Sequence, residues 1–171
     1  MNIHPLLVHF PIALLSVYAV FECLRFKKLL ELREWFYIKA TFLFLGGLGA
    51  LAAAKAGDFG KSLFPAEMNI IHVHENFAKL TIIIFGLLAL IYLGIFIDNV
   101  WGERIRRSSF GSAWEAMIAV DKKVFIGPVL VPGAAIGLLS LIVTGTLGAS
   151  IVYGVTNDPV TQLVSRIFVR P

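Results

Sequence analysis

The chain has 171 residues, of which 58% are hydrophobic and 15% charged, and its mean hydropathy is +0.83. Soluble domains are about 45–50% apolar and about 25% charged, so this composition excludes an ordinary soluble domain and indicates an integral membrane protein. The net charge of +4 comes from basic segments between apolar runs, which favours contact with membrane lipids over binding of nucleic acid.

Four apolar runs are long enough to cross the roughly 30 Å hydrocarbon core of a bilayer as helices. None of them alternates apolar and polar residues as a strand of a membrane barrel does. We therefore predict an all-α membrane protein, with one domain over residues 1–171 and four transmembrane helices in a compact antiparallel bundle. The spans cover about residues 5–24, 40–56, 70–98 and 128–155, and residues 157–171 form a short amphipathic tail.

Individual residues set the expected shape of the spans. Pro11 should kink the first helix just below His9, and an interfacial step over 31–37 should lead into the second. Glycine and alanine recur in the second and fourth spans, where they let helix backbones approach closely. Pro128 and Pro132 place the start of the fourth span near residue 128.

The basic residues are distributed unevenly between the two sides of the bundle. Cytoplasmic loops carry the excess of Lys and Arg, so both termini are predicted to lie outside the cytoplasm, in the periplasm of a bacterial inner membrane. Ten of the 15 basic residues fall on the predicted cytoplasmic side: Arg25, Lys27, Lys28, Arg33, Lys39, Arg104, Arg106, Arg107, Lys122 and Lys123.

All four histidines fall on the predicted outer side, two near the start of the first span and two near the start of the third. Imidazole is the commonest metal ligand, so histidines at one depth indicate a metal or haem site. Around a helix axis, His4 and His9 differ by about 140°, and His72 and His74 by about 200°. Each pair therefore supplies one inward candidate, and we favour His9 and His74.

Three further residues are candidates to support such a site. Lys79 should extend to the interface near His74, where it could neutralise a haem propionate. Asp58 and Glu75 are candidate acceptors for the ring N–H groups of ligating histidines. A metal-free hydrogen-bond network among the histidines, Asp58, Glu75 and Tyr153 is the alternative for the same residues.

Four motifs follow one another along nearly the whole chain. They are His4-Pro5-x-x-Val8-His9-Phe10-Pro11-Ile12, Ala56-Gly57-Asp58, His74-x-x-x-Ala78 and Thr144-Gly145-x-Leu147-Gly148-x-x-Ile151-Val152-Tyr153. With these motifs the sequence resembles the bacterial membrane family known as domain of unknown function 2231.

The resemblance implies a compact four-helix membrane domain, often found with cytochromes or Rieske-type iron–sulfur proteins, that holds haem without covalent attachment. The family's histidines correspond to His4, His9 and His74, and its acidic residue after the second helix corresponds to Asp58. His72 has no counterpart in the pattern. The family has no assigned reaction, so the resemblance supports the fold more than the chemistry.

The leading hypothesis is a b-type haem protein that passes single electrons at the periplasmic face, as an electron carrier rather than an enzyme. His9 and His74 are its predicted opposed axial ligands, with His4 or His72 as substitutes. Two imidazoles saturate the iron, which suits electron transfer. The chain has one cysteine and no Cys-x-x-Cys-His motif, so any haem is held non-covalently.

Two other classes of function are open. One is a haem-free accessory subunit of a respiratory or photosynthetic complex, whose small-residue helix faces dock onto cytochrome, iron–sulfur or other subunits. The other is a copper, zinc or iron ion held among His4, His9, His74 and Asp58 in transport or sensing. The sequence has no phosphate-binding loop and no nucleophile elbow, so nucleotide-dependent and hydrolytic functions have no support.

Overall fold

A computed structural model describes residues 4–60, 68–126, 129–154 and 159–169. No strand occurs among these residues, which confirms the all-α class. The helices are α1 (His4–Cys23), α2 (Lys27–Leu30), α3 (Arg33–Gly60), α4 (Met68–Arg106), α5 (Gly111–Ile126), α6 (Leu130–Tyr153) and α7 (Pro159–Phe168).

Three of the helices contain stretches long and apolar enough to cross a membrane. These stretches are Arg33–Gly57 in α3, Asn69–Arg106 in α4 and Leu130–Tyr153 in α6. In α1, the described apolar stretch is Leu7–Cys23, which is shorter. Within the described residues, three helices are thus of spanning length, and a fourth crossing by α1 stays a prediction.

The four long helices form an antiparallel bundle in which α1 and α4 each pack against both α3 and α6. Contacts along the helices give their directions. Ile12 of α1 lies against Gly145 of α6. Farther along α1, Tyr18 contacts Phe85 of α4, and Phe85 in turn lies against Gly137 of α6. Later residues of α1 thus lie beside earlier residues of α6, so the two helices are antiparallel. Because α1 and α4 are each packed between α3 and α6, they lie diagonally opposite each other in the bundle.

The core between these helices consists of apolar side chains with aromatic rings at its centre. Tyr18 meets Phe85 and Tyr92 edge-on, with ring centroids 6.0 Å and 5.8 Å apart. In lipid, such packing holds helices together by van der Waals contact. The buried members of this core are Leu15, Tyr18, Ala19, Ala40, Leu43, Phe85, Leu88, Tyr92, Leu130, Ala134 and Leu141.

Two elements differ from the sequence-based expectation. α3 begins at Arg33, so most of the expected interfacial step at 31–37 is instead the first part of one continuous helix. α5 forms where no helix was expected and packs along α4. Its Ile118 is buried, and Gly94 of α4 permits the close approach of α5, because a Cβ atom at Gly94 would clash with the Asp121 carboxylate.

The amphipathic tail contains α7, which packs on α6 near the start of α4. Its buried side chains are Thr161, Val164 and Ser165. The Phe168 ring meets the Phe77 ring of α4 with centroids 4.9 Å apart. The tail therefore covers apolar surface at the end of the bundle where the histidines lie.

Gly46 marks a close approach between α3 and α1. A Cβ atom at this position would lie 2.7 Å from Leu15 Cδ2 and 3.2 Å from Leu14 Cβ. Leu15 is fully buried in the core, so its displacement would disturb the side chains packed around it. We therefore expect Gly46→Ala to lower the free energy of unfolding by about 1–3 kcal/mol, measured by denaturant titration in detergent.

The neighbouring Gly47 offers a matched control, because a Cβ atom there would meet nothing within 4 Å. Gly47→Ala should be neutral or stabilise the protein by up to about 1 kcal/mol, since alanine is the better helix former. Equal destabilisation by the two substitutions would show that helix contact at Gly46 is not the cause.

Candidate functional site

His74 lies at the end of the bundle formed by the starts of α1 and α4 and the end of α6, here called the histidine end. Its half-buried ring packs against α6, with Nδ1 3.0 Å from the carbonyl oxygen of Thr144. Because a carbonyl only accepts, Nδ1 carries a proton and donates this hydrogen bond. Gly148 makes room for the ring, since a Cβ atom there would lie 3.2 Å from His74 Cε1.

Hydroxyl groups connect α4 and α6 directly below His74. Thr81 Oγ1 lies 2.8 Å from Ser140 Oγ and 3.4 Å from Thr144 Oγ1. Thr81 and Ser140 are both buried, and each also contacts the carbonyl oxygen of Phe77, at 2.8 Å and 3.2 Å. Thr81 and Ser140 are thus hydrogen-bonded within the bundle, and their bonds join α4 to α6 below His74.

His9 lies on α1 at the same level of the bundle as His74. Ile12 faces Gly145, and His9 is three residues, or about 4.5 Å, back along the antiparallel α1, which places it level with Gly148. The His9 side chain is exposed, whereas Pro11 and Leu15 on the neighbouring turns are buried. The two histidines share a depth on diagonal helices, and their convergence on one ligand stays a prediction.

The other predicted site residues are spread over the histidine end. His72 and Lys79 are exposed on α4, and Glu75 is half-buried. The side chains of His4, in the first turn of α1, and Asp58, near the end of α3, lie outside the described part of the structure. Among the side chains that are described, no three of His, Cys, Asp or Glu come together in a way that could hold a metal ion.

A buried ion pair at the opposite end of the bundle was missed by the sequence reasoning. Glu22 of α1 is fully buried, and its Oε2 accepts hydrogen bonds from Lys39 Nζ at 2.8 Å and from the Tyr92 hydroxyl at 2.5 Å. Arg25 lies 3.5 Å from the other carboxylate oxygen. Lys39 is only 2% exposed, so it belongs to the interior rather than to a cytoplasmic loop. The sequence did hold a signal for the burial of Glu22: it lies four residues after Tyr18, so both side chains are on one face of α1, and Tyr18 is in the core.

Asp98 is the centre of a further polar cluster, where α4 continues beyond its apolar run. Its Oδ1 accepts from Arg106 at 2.6 Å and from the Trp114 indole at 3.2 Å, and its Oδ2 accepts from Lys122 at 3.0 Å. Trp114 and Lys122 belong to α5, so these bonds join α5 to α4. Asp121 also lies on α5, and burial raises the pKa of its carboxyl above the ordinary value.

A family model described as a predicted membrane protein, DUF2231, matches residues 1–159 of the chain. The chain belongs to the DUF2231 family. Membership confirms the resemblance seen in the sequence motifs and supports a multi-pass membrane protein, but the family description assigns no function. No curated protein and no solved structure is detectably similar to the chain.

Proposed function

We propose that this DUF2231 protein binds haem b non-covalently at the histidine end and passes single electrons there. His74 supplies one axial ligand, and a histidine of α1, His9 or in its place His4, supplies the other. In this proposal α1 completes four crossings of a bacterial inner membrane, and both termini lie in the periplasm. The observation that carries the proposal is the hydrogen bond between His74 Nδ1 and the Thr144 carbonyl.

The chemistry of His74 fits a haem ligand. Metal-bound imidazoles almost always donate their second ring N–H to a carbonyl or carboxylate, which fixes the tautomer and the orientation of the ring. The Thr144 carbonyl is such an acceptor, and it belongs to a helix held in a packed bundle. The ring is therefore oriented by α6 and by the absence of a side chain at Gly148 before any ligand binds.

Helix α1 offers two candidates for the second axial ligand, His9 and His4. His9 is level with Gly148, and α6 presents Gly145 toward α1 and Gly148 toward His74. Small residues leave little side-chain bulk on the helix surface, so a flat group could approach the backbone closely. His4 begins α1 and gives the same helix a second imidazole.

Other residues at the histidine end have supporting roles in the proposal. Lys79 is exposed on α4, five residues after His74, where its ammonium group can pair with an anionic propionate. The contact of Phe168 with Phe77 covers apolar surface of α4 just beyond His74. A haem bound at this end would supply reversible one-electron transfer.

We expect His74→Ala to abolish the Soret band of protein expressed with ample haem, because the proposed axial ligand on α4 is lost. His72→Ala is the matched control, since His72 lies two residues away on the same helix with an exposed side chain. The measurements are the oxidised and dithionite-reduced absorption spectra and the haem content per chain. His72→Ala should leave all of them unchanged.

Single alanine variants of His9 and His4 identify the second ligand. The variant that lacks it should change from a six-coordinate, low-spin spectrum to a five-coordinate, high-spin one, while the other variant should keep the wild-type spectrum. Wild-type protein without a Soret band, or a band that persists in His74→Ala, would overturn the proposal.

A further inference from the structure

A cleft lies at the end of the bundle opposite the histidines, where α4 continues beyond Ile97. This basic cleft has a volume of about 710 Å³ and is lined by residues 98–104, 106 and 107 of α4 and residue 122 of α5. Arg104, Arg106, Arg107 and Lys122 are the four cationic residues of the lining, and two lining residues are acidic, which leaves a net charge of +2. The lining therefore favours an anionic ligand.

Two of the cations are held in place by a buried carboxylate. Asp98 has a side chain only 3% exposed and binds Arg106 at 2.6 Å and Lys122 at 3.0 Å. The Arg106 and Lys122 side chains are nevertheless 36% and 53% exposed, so both remain accessible at the cleft. A ligand that meets cations already fixed in position loses less of its binding free energy to ordering them.

Gly102 permits this arrangement of the cations. It lies on α4 between Asp98 and Arg106, four residues from each. A Cβ atom at Gly102 would lie 2.5 Å from Asp98 Oδ1 and 2.8 Å from Arg106 Nη1. Because glycine has no side chain, Arg106 can fold back along the helix surface to reach Asp98.

The position of the cleft along α4 corresponds to the lipid headgroups. Asp98 directly follows the apolar run, and Arg106 lies eight residues, or about 12 Å, farther along the helix. The cleft therefore begins in the headgroup layer, which is roughly 5–8 Å thick, and its far end reaches beyond that layer. Trp101 lines the cleft and Phe110 lies just beyond α4, and they are 52% and 74% exposed. Exposed aromatic rings beside basic residues are typical of a membrane interface.

We infer that the basic cleft binds the phosphate group of an anionic phospholipid. The phosphate oxygens accept hydrogen bonds from Arg106 and Lys122, while Arg104 and Arg107 offset the charge of the headgroup. Inorganic phosphate has the same chemistry, but the exposed ring of Trp101 at the hydrocarbon boundary favours a ligand that also carries acyl chains.

The test compares full-length wild-type protein with the double variant Arg104→Gln/Arg107→Gln in nanodiscs of equal parts phosphatidylglycerol and phosphatidylcholine. Neither arginine contacts Asp98, so the variant should keep its fold, which its melting temperature in pure phosphatidylcholine verifies. Each arginine that pairs with a bound anionic headgroup contributes about a factor of five to lipid binding. The double variant should therefore show an about 30-fold weaker preference for phosphatidylglycerol among the lipids retained in native mass spectra.

Lys27→Gln/Lys28→Gln is the matched control, because it removes the same charge from exposed positions of α2 that do not line the cleft. It should keep the wild-type preference. The inference is overturned if both double variants lose the preference equally, or if Arg104→Gln/Arg107→Gln retains it. Displacement of phosphatidylglycerol by millimolar inorganic phosphate would identify free phosphate as the ligand and overturn the lipid assignment.

Discussion

Lys39→Met is expected to lower the free energy of unfolding by about 3–5 kcal/mol, because it removes the buried cation of Glu22 and leaves only the partly exposed Arg25 near the carboxylate. The two charged groups are 2.8 Å apart, and their side chains are 2% and 0% exposed. Methionine is similar in volume to lysine, so the loss measures the charge rather than a cavity. The measurement is a denaturant titration of the purified protein in detergent, followed by circular dichroism.

Lys55→Met is the control, since Lys55 is exposed on the same helix. It should change stability by no more than about 0.5 kcal/mol. Combining Lys39→Met with Glu22→Leu removes both charges, and this double variant should recover most of the loss. The recovery should be incomplete, because the Tyr92 hydroxyl then loses the carboxylate oxygen that lies 2.5 Å away. If Lys39→Met were as stable as the Lys55→Met control, the buried ion pair between Lys39 and Glu22 would not stabilise the protein.

The ion pair also determines how the helices are held together. Glu22, Lys39 and Tyr92 come from α1, α3 and α4, and their bonds meet at one carboxylate oxygen. Helices in lipid have little hydrophobic drive to associate, so a shared polar contact can select one packing of three helices. This specificity would explain why a charge is retained in the bundle, even where an apolar core could be equally stable.

The long helices could be predicted because hydropathy reports directly on burial in lipid. The predicted span at 70–98 lies within α4, and the predicted span at 128–155 nearly coincides with α6. The length of α4 was underestimated, because Asp98 and the residues after it are polar in sequence. Their helix is stabilised by α5, a tertiary contact that hydropathy does not detect.

Lys39 was misplaced for a related reason. A count of basic residues treats each lysine near a span as part of a loop, and the partner that draws Lys39 inward is 17 residues away on another helix. Without Lys39, nine basic residues remain on the predicted cytoplasmic side. The charge bias that predicts the orientation is therefore weaker by one residue, and its direction is unchanged.

For the candidate site, the sequence predicts how deep each histidine lies along its helix but not which way its ring faces. Spacing along the chain places His9 and His74 at one depth, because helix rise is constant. Which side of each ring faces a neighbour depends on how the helices rotate against one another. The partner of His74, the Thr144 carbonyl, lies 70 residues away, and no local pattern in the sequence marks it as an acceptor.

Asp98→Asn is expected to lower the free energy of unfolding by about 2–3 kcal/mol and to detach α5 from α4 before the bundle unfolds. The substitution keeps the shape of the side chain but removes the charge that binds Arg106 and Lys122. The loss should be smaller than for Lys39→Met, because both cations are partly exposed and can be hydrated. Hydrogen exchange of the α5 amides, measured by mass spectrometry, should become faster while exchange in α6 stays unchanged.

Glu103→Gln is the control for Asp98→Asn, because it removes a carboxylate from α4 five residues farther along, at a side chain that is 91% exposed. Its contact with Arg107 is 4.0 Å long and exposed to solvent, so neither stability nor exchange in α5 should change measurably. If the α5 amides stay equally protected in Asp98→Asn, the packing of α5 on α4, including the buried Ile118, holds α5 in place. The polar cluster would then serve only to position the cations of the basic cleft.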